Sequence, residues 1–223
     1  RATLMVAILL GAAMVGLPAL PGKDAGQGAV GSVAAADIDR LFTIGTIEIA
    51  VSTLNPFAYT MVDEFMAIWP CMSTLLTYDE QMNRIGDLAT DWTMSPDGLT
   101  WTFNLVNNAY FVEQTNPTST ARPLTADDVI YTYWLVQNYS HNLHYYFPGY
   151  TDGKPSTIAS MKKLSTYSFS ITLREPYAPF IGALTGIPIV PKYYWEPLVQ
   201  KAGSPQKVTG VLPIGSGPFY YAL

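Results

Sequence analysis

Cysteine, histidine and charge are all scarce in this chain. Of its 223 residues one is cysteine, two are histidine and 13% are charged. A single cysteine excludes an internal disulfide and any cysteine-rich metal site. Cys71 stands in the apolar run Trp69-Pro70-Cys71-Met72, a setting that makes a buried, inert thiol. The net charge of −5 leaves no basic footprint, which argues against nucleic acid as a partner. Low charge together with 49% hydrophobic residues excludes a disordered chain and fits a tightly packed one. At this length the chain buries one sizeable core or two small ones. It contains no internal repeat.

Residues able to carry chemistry are correspondingly few. Catalysis needs a nucleophile beside a base, paired carboxylates in a cleft, or a metal cage. His141 and His144 are three apart and could share a helix face for a metal, but no carboxylate or cysteine adjoins them, and Asn142 with Pro148-Gly149 marks a loop. Asp127-Asp128 is the one adjacent pair of aspartates. Thr125 as an N-cap and the apolar run that follows account for both acids as helix-start charges. Gly215-Ser216-Gly217 has a phosphate-loop look, yet no lysine or helix follows it, so a tight turn beside a strand is expected. No catalytic residue, cofactor or metal site is therefore expected. Asn138-Tyr139-Ser140 spells an N-glycosylation acceptor, meaningful only on an external surface. Fifteen tyrosines and five tryptophans suit sugar-stacking or peptide pockets, although periodicity assigns most, Trp101 and Trp134 included, to the core.

Along the chain, residues 2–20 form an uncharged apolar run long enough to span a bilayer, with the small residues of a signal-peptide core. Three alanines before Asp37 offer a cleavage signature beyond a Gly/Ala spacer. Residues 1–40 are thus expected to be a leader or membrane anchor plus linker, placing the remainder outside the cytoplasm. Residues 41–47 have strand propensity, and Asn55-Pro56 marks a turn. Residues 61–76 carry Met61, Val62, Phe65, Ile68 and Trp69 at helical spacing, interrupted at Pro70. A strand at 76–79 precedes a hairpin over 90–105 that turns on Ser95-Pro96-Asp97-Gly98, where Pro fixes one φ and Gly accepts a positive one. Trp101, Phe103 and Leu105 then alternate with polar residues, the period of a half-buried strand. A helix opening at Thr125 is expected to bury Val129, Ile130, Tyr133 and Trp134. The aromatic stretch 139–150 reads as a loop. Tyr167, Phe169, Ile171 and Leu173 alternate as one face of a strand.

In this order the residues resemble the family 5 extracellular solute-binding proteins, the dipeptide, oligopeptide and nickel receptors of ABC importers. The match is carried by Ser52-Thr53-Leu54-Asn55-Pro56, Leu88-Ala89, Trp92, Ser95, Asp97-Gly98, Trp101, Phe103 and Leu105. It continues through Pro123-Leu124-Thr125-Ala126-Asp127-Asp128-Val129, residues 167–176, Ile189-Val190-Pro191-Lys192 and Pro213-Ile214-Gly215-Ser216-Gly217-Pro218-Phe219. One departure is a longer polar loop, residues 111–123, in place of a short Asp-Gly turn. The resemblance implies an α/β fold of the bilobal, type II periplasmic-binding-protein kind, of which this chain is expected to hold the N-terminal portion. Residues 41–56 would give a first-lobe strand and cleft loop, 57–176 a side subdomain, and 177–223 the return to the first lobe, cut short. It implies a non-catalytic receptor that closes two lobes over a solute and delivers it to a permease. Peptides are the first choice of solute, with oligosaccharides or a nickel chelate as alternatives. Ser52, Thr53, Leu54 and Asn55 are the implied ligand contacts, joined by Gly215, Ser216 and Gly217. Two rival classes stand beside it: a hydrolase, which needs a nucleophile–base pair, and a cell-surface structural or adhesion protein, which would suit an anchor and tyrosine-rich loops. A portion of a bilobal protein is also expected to expose apolar surface that the remainder covers.

Overall fold

The computed structural model describes residues 8–10, 51–112, 121–139, 141–147 and 156–221. The expected strand at 41–47 and most of the apolar leader lie outside them. In chain order the elements are β1 (Ile8–Leu10), α1 (Val62–Ile68), β2 (Leu76–Tyr78), β3 (Arg84–Gly86), β4 (Ala89–Met94), β5 (Thr100–Leu105), β6 (Tyr110–Phe111), β7 (Arg122–Pro123), α2 (Ala126–Asn138), β8 (Ile158–Ser165), β9 (Ser168–Leu173), α3 (Phe180–Ala183), α4 (Lys192–Ala202) and β10 (Phe219–Tyr221).

Strands β4, β5, β9 and β8 form an antiparallel sheet in that spatial order. Its first hairpin turns where the sequence expects. Gly98 has φ of 74°, its N–H donates to Ser95 O at 2.9 Å, and Asp97 Oδ1 accepts from Leu99 N at 3.0 Å. Phe103 and Leu105 on β5 are buried, as are Phe169, Ile171 and Leu173 on β9. Register places Phe103 opposite Phe169, and the two rings stack at 5.3 Å. Tyr167 stops short of the ladder and sits half-buried in the turn before β9. Strand β8 has no such alternation, because only Ile158 along it is buried. It exists by pairing with β9, and exposed Lys162 and Lys163 keep this sheet edge from recruiting another strand.

Helix α2 packs against β8 and β9. Asp128 Oδ2 accepts from both the backbone N–H and the hydroxyl of Thr125 at 2.9 Å, closing the helix start. Its other oxygen accepts from Lys192 N at 2.9 Å, the first residue of α4. One buried carboxylate thus joins two helix N-termini. Asp127 instead pairs with exposed Lys163. Val129, Tyr133, Leu135 and Val136 are buried as a face of α2, but Ile130 is only partly covered. Trp134, expected in the core, is 41% exposed, stacking on Tyr131 and meeting Tyr139 edge-on. The buried face is rotated because Thr132 is drawn inward, where its hydroxyl donates to Asp128 O at 2.8 Å and accepts from Val190 N at 3.1 Å. Trp101 is half-buried against Phe180 at 5.7 Å.

Strand β2 pairs with β3, and β6 with β7, each as a separate two-stranded antiparallel ladder. Ile8–Leu10 pairs antiparallel with β10. Among the described residues no helix is long and apolar enough to cross a membrane.

Candidate functional site

The loop 52–60 and the segment 215–217 reach the same short stretch of chain, α1 and the 3-10 turn Trp69–Cys71 that follows it. Pro70 ends the α-helix there, as its position in the sequence requires. The helix does not bury the stripe that its spacing suggests. Met61 and Val62 are 56% and 73% exposed, whereas Glu64, Ala67 and Ile68 face inward. In a helix of seven residues the i, i+3, i+4 trio from Glu64 defines the inner face, and Met61 is the N-cap outside it.

Glu64 is fully buried. Its Oε1 accepts from Ser52 N at 3.0 Å, Ser52 Oγ at 2.5 Å and Thr53 N at 3.2 Å. Its Oε2 accepts from Thr60 N at 2.8 Å and Met61 N at 3.2 Å. No cation pairs with it among the described residues. Burial alone would raise the carboxyl, but the Ser52 hydroxyl and the backbone N–H groups of Thr60, Met61 and Ser52 outweigh it and hold the group down at about 2. A carboxylate at the third helical position is half of a capping box, a signal that the apolar stripe obscured in the sequence.

Asn55 is buried too, with its amide fully engaged. Its Nδ2 donates to Pro205 O at 2.8 Å and Val208 O at 2.9 Å, and its Oδ1 accepts from Phe57 N at 2.7 Å. The position therefore fastens the loop to the 3-10 turn Pro205–Lys207. Phe57 lies beneath, edge-on to Trp195 at 5.0 Å and to His141 at 5.2 Å. Leu54 packs against Ala67 and Cys71, as does Phe219. Asn142 holds the far end of the loop, its Nδ2 donating to Pro56 O and Tyr59 O at 3.3 Å.

His141 has no ring nitrogen to offer a metal. Nδ1 accepts from Leu143 N at 3.1 Å, which leaves the proton on Nε2, 3.2 Å from Leu135 O. Burial, reinforced by nearby His144 and opposed by the Leu135 carbonyl, lowers its pKa to about 4. Among the described residues no three His, Cys, Asp or Glu side chains gather as a metal cage.

At the other segment the glycines serve close backbone approach. A Cβ on Gly215 would stand 1.9 Å from Cys71 O, and one on Gly217 would stand 2.6 Å from Cys71 C. Gly217 N donates to Cys71 O at 3.0 Å, Val112 N donates to Gly215 O at 3.1 Å, and Ser73 Oγ donates to Ser216 O at 3.2 Å. Cys71 is buried and its thiol is pushed up to about 12 by that burial, inert as its sequence setting implies. The structure therefore brings Ser52, Thr53 and Leu54 against residues 64–71 and Gly215, Ser216 and Gly217 against residues 71–73, while Asn55 turns to Pro205 and Val208.

Beside this junction an aromatic ladder rises, which the sequence reading missed. Phe65 meets Trp69 at 4.5 Å and Tyr59 at 5.8 Å, and Tyr59 meets Trp69 at 6.3 Å. All three rings are partly exposed. Burial, then the neighbouring Tyr145, raises the Tyr59 hydroxyl, and Tyr145 itself is exposed. Phe65 and Trp69 share the helical spacing already noted, but Tyr59 precedes the helix, so periodicity alone does not add it to them. A separate open groove at the starts of α2 and α4 is lined by Arg122, Asp128, Lys192, Tyr193 and Glu196, with the Arg122 guanidinium 4.2 Å from the centre of the Tyr193 ring.

Comparison with known proteins gives this junction a context. The family "Bacterial extracellular solute-binding proteins, family 5 Middle" matches residues 83–222. The dipeptide-binding protein of Escherichia coli (strain K12) is 33% identical over 144 residues, covering 60% of this chain and 26% of that protein. Among solved structures, the periplasmic binding protein DppA from Helicobacter pylori, in complex with the peptide STSA, superposes with a TM-score of 0.58. It is 26% identical and covers 77% of this chain and 35% of that one. NikZ from Campylobacter jejuni, in complex with Ni(L-His), gives a TM-score of 0.60 at 25% identity, over 77% of this chain and 31% of that one. The chain spans about a third or less of the length of these relatives.

Proposed function

The chain belongs to the bacterial extracellular solute-binding proteins of family 5, and on that premise we propose that it is part of a non-catalytic receptor for an ABC importer. The receptor captures a solute outside the cytoplasm and hands it to the permease, with the apolar leader 2–20 directing or holding the chain there. The observation that carries this reading is the junction itself. Ser52 and Thr53 are bonded to Glu64 of α1, Asn55 to the turn at Pro205, Ser216 to Ser73 and Gly217 to Cys71, so the backbone beside the aromatic ladder is fixed in place. Such a surface suits recognition, since fixed polar groups orient a ligand and half-exposed rings receive its apolar parts. Closure of a second lobe over it, with ligand selecting the closed state, completes the mechanism.

Peptides are the proposed solutes, because the Escherichia coli relative is a dipeptide-binding protein and the Helicobacter pylori neighbour holds a peptide. A nickel chelate is the second reading, favoured by the NikZ complex with Ni(L-His). Thermal unfolding of the protein against separate panels of dipeptides, nickel–histidine and oligosaccharides tests the proposal. A ligand that binds only the folded state raises the midpoint, by about 2.7 kcal/mol of stability at a hundred times its Kd. A rise with dipeptides is expected. A rise with nickel–histidine or an oligosaccharide alone reassigns the solute. No rise with any of them favours a surface structural or adhesion role, and peptide turnover would defeat the non-catalytic reading.

A further inference from the structure

We propose that Glu64 is the positioning residue of the ligand loop: its buried carboxylate ties down both feet of residues 52–61, so that solute affinity depends on a side chain that never touches the solute. The inference rests on the reading of Ser52, Thr53 and Leu54 as ligand contacts; Asn55, buried and fully bonded, fastens the loop instead.

The division of labour between the two carboxylate oxygens carries the argument. Capping α1 requires only Oε2, which takes the N–H groups of Thr60 and Met61 at the helix start. Oε1 adds nothing to the helix. All three of its donors, Ser52 N, Ser52 Oγ and Thr53 N, come from the segment that opens the loop, eleven and twelve residues upstream. Taking a carboxylate out of water without a cation is costly, and charge-assisted hydrogen bonds from five donors offset that cost. No other side chain does the same. An amide keeps one acceptor oxygen and turns an NH2 group toward the remaining N–H donors, and an apolar residue leaves the buried donors unpaired. The donors fill both oxygens, so Glu64 has no capacity left for a ligand. Between the feet, Asn55 fixes the middle of the loop to Pro205 and Val208. Leu54 and Tyr59 are thereby carried in a loop pinned at three places, and pre-ordering of that kind lowers the entropic cost of binding.

The test compares Glu64→Gln, Glu64→Asp and the control Asp127→Asn in the full chain, by amide hydrogen exchange and by calorimetric titration with alanylphenylalanine and methionylleucine. In Glu64→Gln the amides of Ser52, Thr53, Thr60 and Met61 are expected to exchange at least tenfold faster, while those of Phe103 and Phe169 do not change. Dipeptide affinity is expected to fall at least tenfold, and Asp127→Asn is expected to alter neither. Glu64→Asp keeps the charge but is one methylene too short to reach both feet. It serves if the glutamine variant does not fold, with faster exchange at one pair of amides and a three- to tenfold loss of affinity expected. Unchanged exchange at all four amides overturns the proposal. So does faster exchange with dipeptide affinity equal to the parent, which would make Glu64 a purely structural cap. A parent protein that binds no dipeptide defeats the peptide reading instead, and the exchange result then decides alone whether Glu64 holds the loop.

Discussion

Around Phe103 and Phe169 the chain is joined by apolar side chains meeting across strands, while around Glu64 and Asn55 it is joined by buried polar atoms that each serve several donors or acceptors. The sheet needs only hydrophobic surface of the right size on the right face, and it tolerates imprecise neighbours. The junction needs every partner in place, because a buried polar group without one costs more than its bond contributes. Regular repetition and a firm core mark the first region. Fixed geometry at a surface marks the second, and that is what a recognition loop requires.

The largest effect is expected in the sheet. Phe103→Ala removes a fully buried ring and should cost about 3–5 kcal/mol. Urea unfolding should return the same loss at pH 7 and pH 5, since no titrating group is involved, and a marked difference would break the contrast. Next comes Gly215→Ala, whose Cβ meets a backbone oxygen at 1.9 Å. A loss of about 2–3 kcal/mol is expected as two backbone segments are forced apart. Gly182→Ala has nothing within 4 Å and should be neutral or slightly stabilising in the same urea unfolding.

Acid should separate the regions further. His141 is neutral in the fold with its pKa lowered to about 4, against about 6.5 when unfolded. The unfolded chain therefore binds the extra proton first. The stabilisation is complete above about pH 6.5 and drains away as pH falls toward 4, by about 3 kcal/mol. Glu64, held at about 2, adds a second loss as pH falls from about 4.5 toward 2, because its folded carboxylate resists a proton that the unfolded one takes. His141→Gln should flatten the upper part of the stability–pH curve and leave the lower part in place. The smallest effect belongs to Trp134→Ala. An exposed ring should cost about 0.5 kcal/mol or less, and a loss several times larger in chemical denaturation would return Trp134 to the core.

Features governed by neighbouring residues were legible in the sequence. The turn at Ser95-Pro96-Asp97-Gly98, the alternation in β5 and β9, the helix start at Thr125 and Asp128, the break at Pro70 and the buried thiol of Cys71 are set locally or by simple period. Features governed by distant chain were not. Strand β8 exists through its pairing with β9. The inner face of α2 turns because Val190, far along the chain, bonds Thr132. The inner face of α1 follows a carboxylate whose partners at Ser52 and Thr53 lie outside the helix. At the candidate site, residues 52–55 and 215–217 were proposed from the resemblance alone. Two things became visible only once the chain was folded: Asn55 acts as an internal fastener, and the glycines admit Cys71 rather than empty space.

Asp128 has a consequence of another kind. Each helix N-terminus carries about half a unit of positive charge, so the starts of α2 and α4, which meet at this one carboxylate, together present about what a single carboxylate neutralises. The two helices share one electrical ground. Segments 64 residues apart are pinned at a common point, and the bond from Val190 N to the Thr132 hydroxyl ties them a second time one turn along α2. Sliding would strand one positive end without its counter-charge.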